Sequence, residues 1–128
     1  MNREKYQKFA IFLIMVSIIL GALASHYFKE ILSDNHLNSF KTGIKYQFLH
    51  GISLLFLSLN IEKFDPYIKK SLNIMIIGVC LFSFSIYLLS IQKLLEINLN
   101  FLGPITPTGG VLLIISWTIL LFCVKKID

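Results

Sequence analysis

The stretch "HLNSFKTGIKYQFLHGISLLFLSLN", residues 36–60, places polar side chains at the head of a long apolar run. Residues 46–61 carry no charge, yet Gln47 and His50 would each be costly to expose to lipid. A polar side chain within a bilayer must face protein or water, because hydrocarbon offers it no hydrogen-bond partner. The stretch therefore predicts a helix that crosses a membrane and turns a polar stripe towards other helices.

Three further uncharged runs lie on either side of this stretch. Residues 9–28, 71–92 and 97–124 contain 20, 22 and 28 residues without a charge. Twenty helical residues reach about 30 Å, which is the thickness of the hydrocarbon core of a bilayer. Only 15% of the residues are charged and the mean hydropathy is +0.74, whereas about a quarter of the residues of a soluble domain are charged.

We therefore expect an all-α integral membrane protein, a single domain over residues 1–128 that forms a bundle of four transmembrane helices. The predicted spans are residues 9–28, 44–61, 71–92 and 106–124. The second helix extends beyond the membrane, because Ser33 and Asp34 form an N-cap signal well before the span. The prolines and glycines of residues 103–110 predict a compact turn before the fourth helix.

The N-terminal segment allows a second interpretation. Its basic start, apolar run and small residues at 22–24 have the layout of a cleavable signal peptide. The uncharged run to Phe28 is nevertheless long enough for a spanning helix. We expect the segment to remain attached as the first helix.

Lysine and arginine are distributed unequally between the two sides of the predicted bundle. Eight flank the side that carries the termini: Arg3, Lys5, Lys8, Lys63, Lys69, Lys70, Lys125 and Lys126. The other side has four: Lys29, Lys41, Lys45 and Lys93. The positive-inside rule then places both termini in the cytoplasm. These charges flank apolar spans without forming a basic face, so we expect membrane lipids as partners and no nucleic acid.

Small residues indicate where helices approach each other. Ser17, Gly21 and Ser25 recur every four residues and so share one face of the first helix. Such a face lets a neighbouring backbone come close, which favours association in lipid. We expect it to pack against another helix of the chain, against a second copy in a homo-oligomer, or against another membrane protein. Gly109 and Gly110 are predicted to allow close packing before the fourth helix.

Polar residues from all four predicted helices fall at a similar depth, near the outer leaflet. Ser83 and Tyr87 are four residues apart, as are Tyr46 and His50, so each pair shares one helix face. We predict that a polar cluster forms there from His26, Lys45, Tyr46, Gln47, His50, Ser83, Tyr87 and Thr106.

Three functions are compatible with this cluster. In the first, the cluster binds a lipid headgroup, a small amphiphile or a partner helix, with Lys45 contacting an anion. In the second, the protein is a small transporter or proton-conducting subunit in which His50 and His26 relay protons. In the third, the polar residues only fasten the helices of an assembly subunit. A pocket closed towards the cytoplasm favours the first, a water-filled path the second, and a self-satisfied cluster without a cavity the third.

Enzymatic chemistry has little support in the sequence. Two histidines on different helices fall short of the three or four ligands that zinc or iron sites use. No serine or cysteine stands in a recognisable nucleophile motif, and the acidic residues lie in loops or at helix ends. Cys80 and Cys123 each lie within an apolar run, without a partner at metal or redox spacing. We expect no catalytic residue, metal or cofactor.

Three sequence pieces resemble a known family. They are the Gly-Ala pair upstream of His26, the pattern Phe-x-Thr-Gly-x-x-Tyr-Gln-x-x-His at 40–50, and the pattern Gly-x-Ile-Thr-Pro-x-Gly-Gly at 103–110. Together they resemble the small membrane proteins of domain of unknown function 423, whose animal relatives are called transmembrane protein 256. The resemblance covers roughly residues 17–122. It implies a bacterial inner-membrane protein with four spans and no established reaction.

Overall fold

The computed structural model describes residues 1–126 and contains four long helices joined by short turns. They are α1 (Arg3–Ile31, with a π-helical turn at Ala24–Phe28), α2 (Asp34–Leu59), α3 (Ile68–Ile91) and α4 (Ile105–Phe122). Short 3-10 turns occupy Ile61–Lys63 and Asn100–Leu102. Residues 127 and 128 of the predicted domain lie outside the described part.

Local signals in the sequence account for where these helices begin. The Ser33 hydroxyl accepts the backbone N–H of His36 at 3.3 Å and so caps α2, as the sequence predicts. The α4 helix starts directly after Pro104, one residue before the predicted span. Pro107 then falls in the first turn, where a helix does not need the N–H that proline lacks.

Consecutive helices are antiparallel neighbours, and glycines mark where they approach most closely. Gly51 of α2 lies against Ala10 and Leu13 of α1. The α3 and α4 helices meet where Gly78 and Gly109 face each other across their backbones. Both α2 and α4 pack along α3 and have little direct contact with each other. The result is an up-down-up-down bundle with α2 and α4 on either side of α3.

The interior of the bundle holds polar side chains, whereas the exterior is largely apolar. Within the described residues, nine polar side chains are buried: Ser17, Gln47, His50, Ser58, Ser71, Ser83, Ser85, Ser90 and Ser116. Large apolar side chains face outwards instead, with Ile114 67% exposed and Leu121 70% exposed. A soluble bundle would bury such residues, so this distribution is the one expected in lipid.

Three of the four helices are long and apolar enough to cross a membrane. They comprise Arg3–Ile31, Ile68–Ile91 and Asn100–Phe122. The predicted count of four helices therefore agrees with the structure, but α2 does not qualify as a span by its composition. Lys45, Gln47 and His50 reduce its hydropathy, and two of these three side chains are buried against other helices.

Two apolar clusters fill the bundle, one towards each end. The larger includes Tyr6 and Leu13 of α1, Leu54 of α2, and residues of α3 and α4. The smaller contains Ala24, Leu37, Phe40 and Tyr87, with Phe28 packed against it. The Phe40 ring lies 5.0 Å from the Phe28 ring and 4.9 Å from the Tyr87 ring, measured between centroids. This aromatic row joins α1, α2 and α3 at the end opposite the termini.

Polar contacts tie the chain termini together at the other end. The Arg3 guanidinium donates to the Leu59 carbonyl and lies 3.4 Å from a Glu62 carboxylate oxygen. The Asp65 backbone N–H donates to the Cys123 carbonyl at 2.9 Å. The start of α1, the α2–α3 connection and the end of α4 are thereby joined on one side of the bundle.

The contact at Gly109 provides a test of this packing. A Cβ atom there would lie 2.5 Å from the backbone nitrogen of Phe82, whereas a Cβ on Gly110 would approach nothing closer than 3.7 Å. Gly109→Ala should therefore force α3 and α4 apart and cost about 1–3 kcal/mol of unfolding free energy. Gly110→Ala should be neutral or stabilise by up to about 1 kcal/mol. Thermal unfolding in detergent compares the two, and equal stability of both variants would contradict the assigned contact.

Candidate ligand-binding site between α2 and α4

The Gln47 side chain joins three helices at the centre of the bundle. Its amide nitrogen donates to the Leu13 carbonyl of α1 at 2.9 Å, and its amide oxygen accepts the Tyr87 hydroxyl of α3 at 2.7 Å. The Ser17 hydroxyl donates to the same Leu13 carbonyl at 2.8 Å. Gln47 is only 1% exposed, so these bonds replace the solvation that the amide loses on burial.

His50 connects α2 to α4 through a hydrogen bond with Trp117. The indole N–H donates to His50 Nε2 at 3.0 Å, and His50 Nδ1 lies 2.7 Å from the Tyr46 carbonyl. Because an indole nitrogen only donates, Nε2 must be the acceptor and Nδ1 carries the proton. Both ring nitrogens of this neutral imidazole are therefore engaged within the protein.

Serine and threonine hydroxyls make further hydrogen bonds between helices. Ser83 donates to the Gly43 carbonyl at 2.9 Å, and Ser71 donates to the Ser116 carbonyl at 2.6 Å. The Ser85 hydroxyl lies 2.6 Å from that of Thr106. Within residues 1–126, every buried side-chain nitrogen or oxygen has a hydrogen-bond partner. The polar interior thus satisfies itself, as stable burial in lipid requires.

A cavity of about 450 Å³ opens between α2 and α4 beside His50, and we call it the apolar cleft. Tyr46 and His50 form its α2 wall, Phe82 of α3 its floor, and Trp117 its far end. Gly110 lies on the α4 wall and leaves space that a larger side chain would fill. The volume lies within the range of about 300–1,000 Å³ that is usual for small-molecule sites.

A second cavity of about 420 Å³ adjoins the apolar cleft at the start of α4, and we call it the polar compartment. Its hydrogen-bonding groups belong to His36, Ser39, Ser90, Gln92 and Thr106. Pro107 lines both cavities, so the two meet at the first turn of α4. A polar space therefore adjoins an apolar one along the same pair of helices.

The structure brings only part of the predicted polar cluster to these cavities. Tyr46 and His50 line the apolar cleft, and Thr106 lines the polar compartment. Gln47, Ser83 and Tyr87 instead lie inside the bundle and bond to one another or to backbone. Lys45 is exposed, and His26 is exposed on the π-helical turn of α1.

The predicted packing residues also divide between different surroundings. Ser17 is buried, whereas Ser25 is exposed and a Cβ on Gly21 would meet nothing within 4 Å. Gly109 lies against the α3 backbone, and Gly110 borders the apolar cleft. Within the described chain, helix packing thus uses one end of the small-residue stripe of α1.

Several lining residues were missing from the predicted cluster. Trp117, Phe82, His36, Ser39 and Gln92 all line one of the two cavities. The α4 members follow a helical stripe, since residues 107, 110, 114 and 117 recur at three- or four-residue spacing. This helical spacing is the sequence signal that could have identified the α4 residues as one wall of a cavity. Over residues 1–126, no three His, Cys, Asp or Glu side chains come together as a metal site would need.

Most of the residues that line the two cavities lie within a segment that matches a family model. Residues 20–110 match the family described as protein of unknown function DUF423. The chain belongs to this family. The match includes α2, α3 and the start of α4, and it covers every described residue that lines the polar compartment and six of the ten that line the apolar cleft.

Relatives over most of the chain are named as membrane proteins. A UPF0382 membrane protein of Haemophilus influenzae is 34% identical over 78% of this chain and 77% of its own length. UPF0382 membrane protein YwdK of Bacillus subtilis is 30% identical over 88% of this chain and 89% of its own. A UPF0382 membrane protein of Schizosaccharomyces pombe is 32% identical over 84% and 90%. No solved structure matches the chain.

The bond between Gln47 and Tyr87 can be tested with a double-mutant cycle. Tyr87→Phe leaves the Gln47 oxygen without its donor and should cost about 1–3 kcal/mol of unfolding free energy. Adding Gln47→Leu should cost less than the sum of the two single changes, with a coupling of about 0.5–2 kcal/mol. Unfolding in detergent measures all four proteins, and Tyr46→Phe serves as a control on the cleft wall. Strict additivity would show that the bond does not form.

Proposed function

We propose that this DUF423 protein is a four-span protein of the bacterial inner membrane that binds a membrane amphiphile in the groove between α2 and α4. The apolar cleft beside His50 and Trp117 is the observation that carries the proposal. It is large enough for a ligand, its walls are mostly apolar, and it adjoins a polar space at one end of the bundle. These are the requirements of a molecule with an apolar tail and a polar head.

The packing of α2 supports a crossing of the membrane by all four helices. Gly51 contacts α1 near its N-terminal part, and Gly43 contacts Tyr87 near the C-terminal part of α3. The α2 helix thus lies alongside two apolar spans over much of their length. Its costly side chains, Gln47 and His50, face these neighbours and α4 rather than lipid. The excess of lysine and arginine at the end with the termini favours a cytoplasmic position for both termini.

A role as an assembly subunit is the second candidate. It is favoured by the full satisfaction of buried polar side chains in the described residues, because such a network stabilises the bundle without any ligand. The proton-relay alternative has less support. Both ring nitrogens of His50 are occupied by Trp117 and Tyr46, and His26 lies exposed on the outer turn of α1.

The proposed orientation predicts the location of both chain ends. Fusions of green fluorescent protein to either terminus should fluoresce in cells, because this reporter folds in the cytoplasm. Alkaline phosphatase inserted after Asn98, in the α3–α4 connection, should be active, since that enzyme needs the opposite, oxidising compartment. An active phosphatase at either terminus would contradict the orientation.

Filling the apolar cleft tests the binding proposal. Gly110→Leu places a side chain in the cleft without a backbone clash, whereas Gly21→Leu adds the same side chain at a position on α1 with no neighbour. Native mass spectrometry of the detergent-released protein should show a bound amphiphile on the wild type and on Gly21→Leu. On Gly110→Leu the adduct should fall by about tenfold or more, because its space is occupied.

The comparison separates the two candidate functions. Loss of the adduct from Gly110→Leu alone, with unchanged thermal stability, supports a binding site in the apolar cleft. A wild-type protein that carries no amphiphile in detergent or in vesicles, or an adduct equally abundant on Gly110→Leu, would overturn it. The self-satisfied polar interior would then serve assembly alone.

A further inference from the structure

We propose that the ligand of this groove is a membrane lipid with an uncharged, hydroxyl-bearing headgroup, such as a diacylglycerol or a glycosylated diacylglycerol. The headgroup occupies the polar compartment and one acyl chain occupies the apolar cleft. This inference rests on the proposed function and specifies its ligand class.

The length of the apolar cleft fits an acyl chain from one leaflet. The α4 wall runs from Pro107, where the two cavities meet, to Trp117 at the far end. Ten helical residues span about 15 Å, which is half of the roughly 30 Å hydrocarbon core. The Trp117 indole and the His50 ring, joined by their hydrogen bond, line the cleft at that depth. A chain entering beside Pro107 thus reaches about the middle of the bilayer.

The charge of the polar compartment determines the class of headgroup. Within residues 1–126, no Lys, Arg, Asp or Glu side chain lines this compartment. A phosphate is normally held by arginine or lysine, because its charge must be compensated when it leaves water. Among the described residues that line the compartment, His36 is the only side chain able to carry a positive charge, and no guanidinium or ammonium faces it. An uncharged headgroup loses less solvation free energy than a phosphate when it enters this compartment.

The hydrogen-bonding groups of the compartment suit hydroxyls in the ligand. The Ser90 hydroxyl donates its proton to the Ile86 carbonyl, so its oxygen remains free to accept a ligand hydroxyl. Thr106 shares one hydrogen bond with Ser85 and has capacity for another. Ser39 adds an exposed hydroxyl on the opposite wall. Glycerol and sugar hydroxyls both donate and accept, which matches this mixture of groups.

Lipids that share their acyl chains and differ only in headgroup test the assignment. Purified full-length protein is incubated with dioleoylglycerol, dioleoylphosphatidylglycerol or dioleoylphosphatidylcholine, singly and in equimolar pairs, and bound lipid is read by native mass spectrometry. Dioleoylglycerol should be retained about tenfold over either phospholipid, the factor expected from one or two well-made hydrogen bonds.

Variants of the polar compartment link this preference to its residues. The double variant Ser39→Ala and Thr106→Val removes a hydroxyl from each wall and should reduce the preference to about threefold or less. Thr118→Val is the matched control, because this exposed hydroxyl of α4 bonds only within its own helix, to the Ile114 carbonyl at 2.8 Å. It should retain the wild-type preference.

The outcomes distinguish failure of this inference from failure of the proposed function. Equal or stronger retention of a phospholipid by the wild type would overturn the headgroup assignment, as would a full preference in the double variant. In either case, loss of every lipid from Gly110→Leu would still establish the apolar cleft as the binding site. Equal binding of all lipids to Gly110→Leu and to the wild type would overturn both the headgroup assignment and the proposed binding site in the apolar cleft.

Discussion

The bridge made by the Gln47 amide is the interaction on which the arrangement of the helices depends. One planar group bonds to a carbonyl of α1 and to a hydroxyl of α3, and so fixes α2 in depth and rotation between them. Its two partners belong to different apolar clusters, since Leu13 lies in the larger and Tyr87 in the smaller. Lipid offers no alternative partner to a displaced amide. Sliding or rotating α2 would therefore cost two buried hydrogen bonds at once.

The bundle compensates for the weak apolar driving force between helices in lipid with close backbone approach. Glycines at 43, 51, 78 and 109 each lie where an added Cβ would press on a neighbouring helix. Hydroxyls of Ser71 and Ser83 then reach backbone carbonyls of the adjacent helix. Van der Waals contact and directional bonds thus replace the hydrophobic effect, which cannot distinguish a leucine beside protein from one beside lipid.

The groove that we propose as a lipid site follows from the order of the helices. Since α2 and α4 both pack along α3 and have little direct contact with each other, a space remains between them. The bond between His50 and Trp117 links the two helices at one depth of this space, and Pro107 lies where its lining changes from apolar to polar. A proton relay through the same histidine would require the ring to give up one of its two partners.

The sequence by itself determined the membrane class, the four helices and the polar stripe on α2, because these depend on composition and periodicity alone. The N-cap at Ser33 could likewise be predicted from the sequence, since its hydrogen bond to the His36 backbone N–H is local. Only the tertiary structure decided which polar residues fasten the bundle and which border a cavity. Gln47 and His50 are three residues apart on one helix face, yet Gln47 is enclosed by α1 and α3 while His50 meets α4 beside the cleft. Spacing within one helix specifies the face on which a side chain lies. It does not specify which helix packs against that face, because this depends on the packing of all four helices.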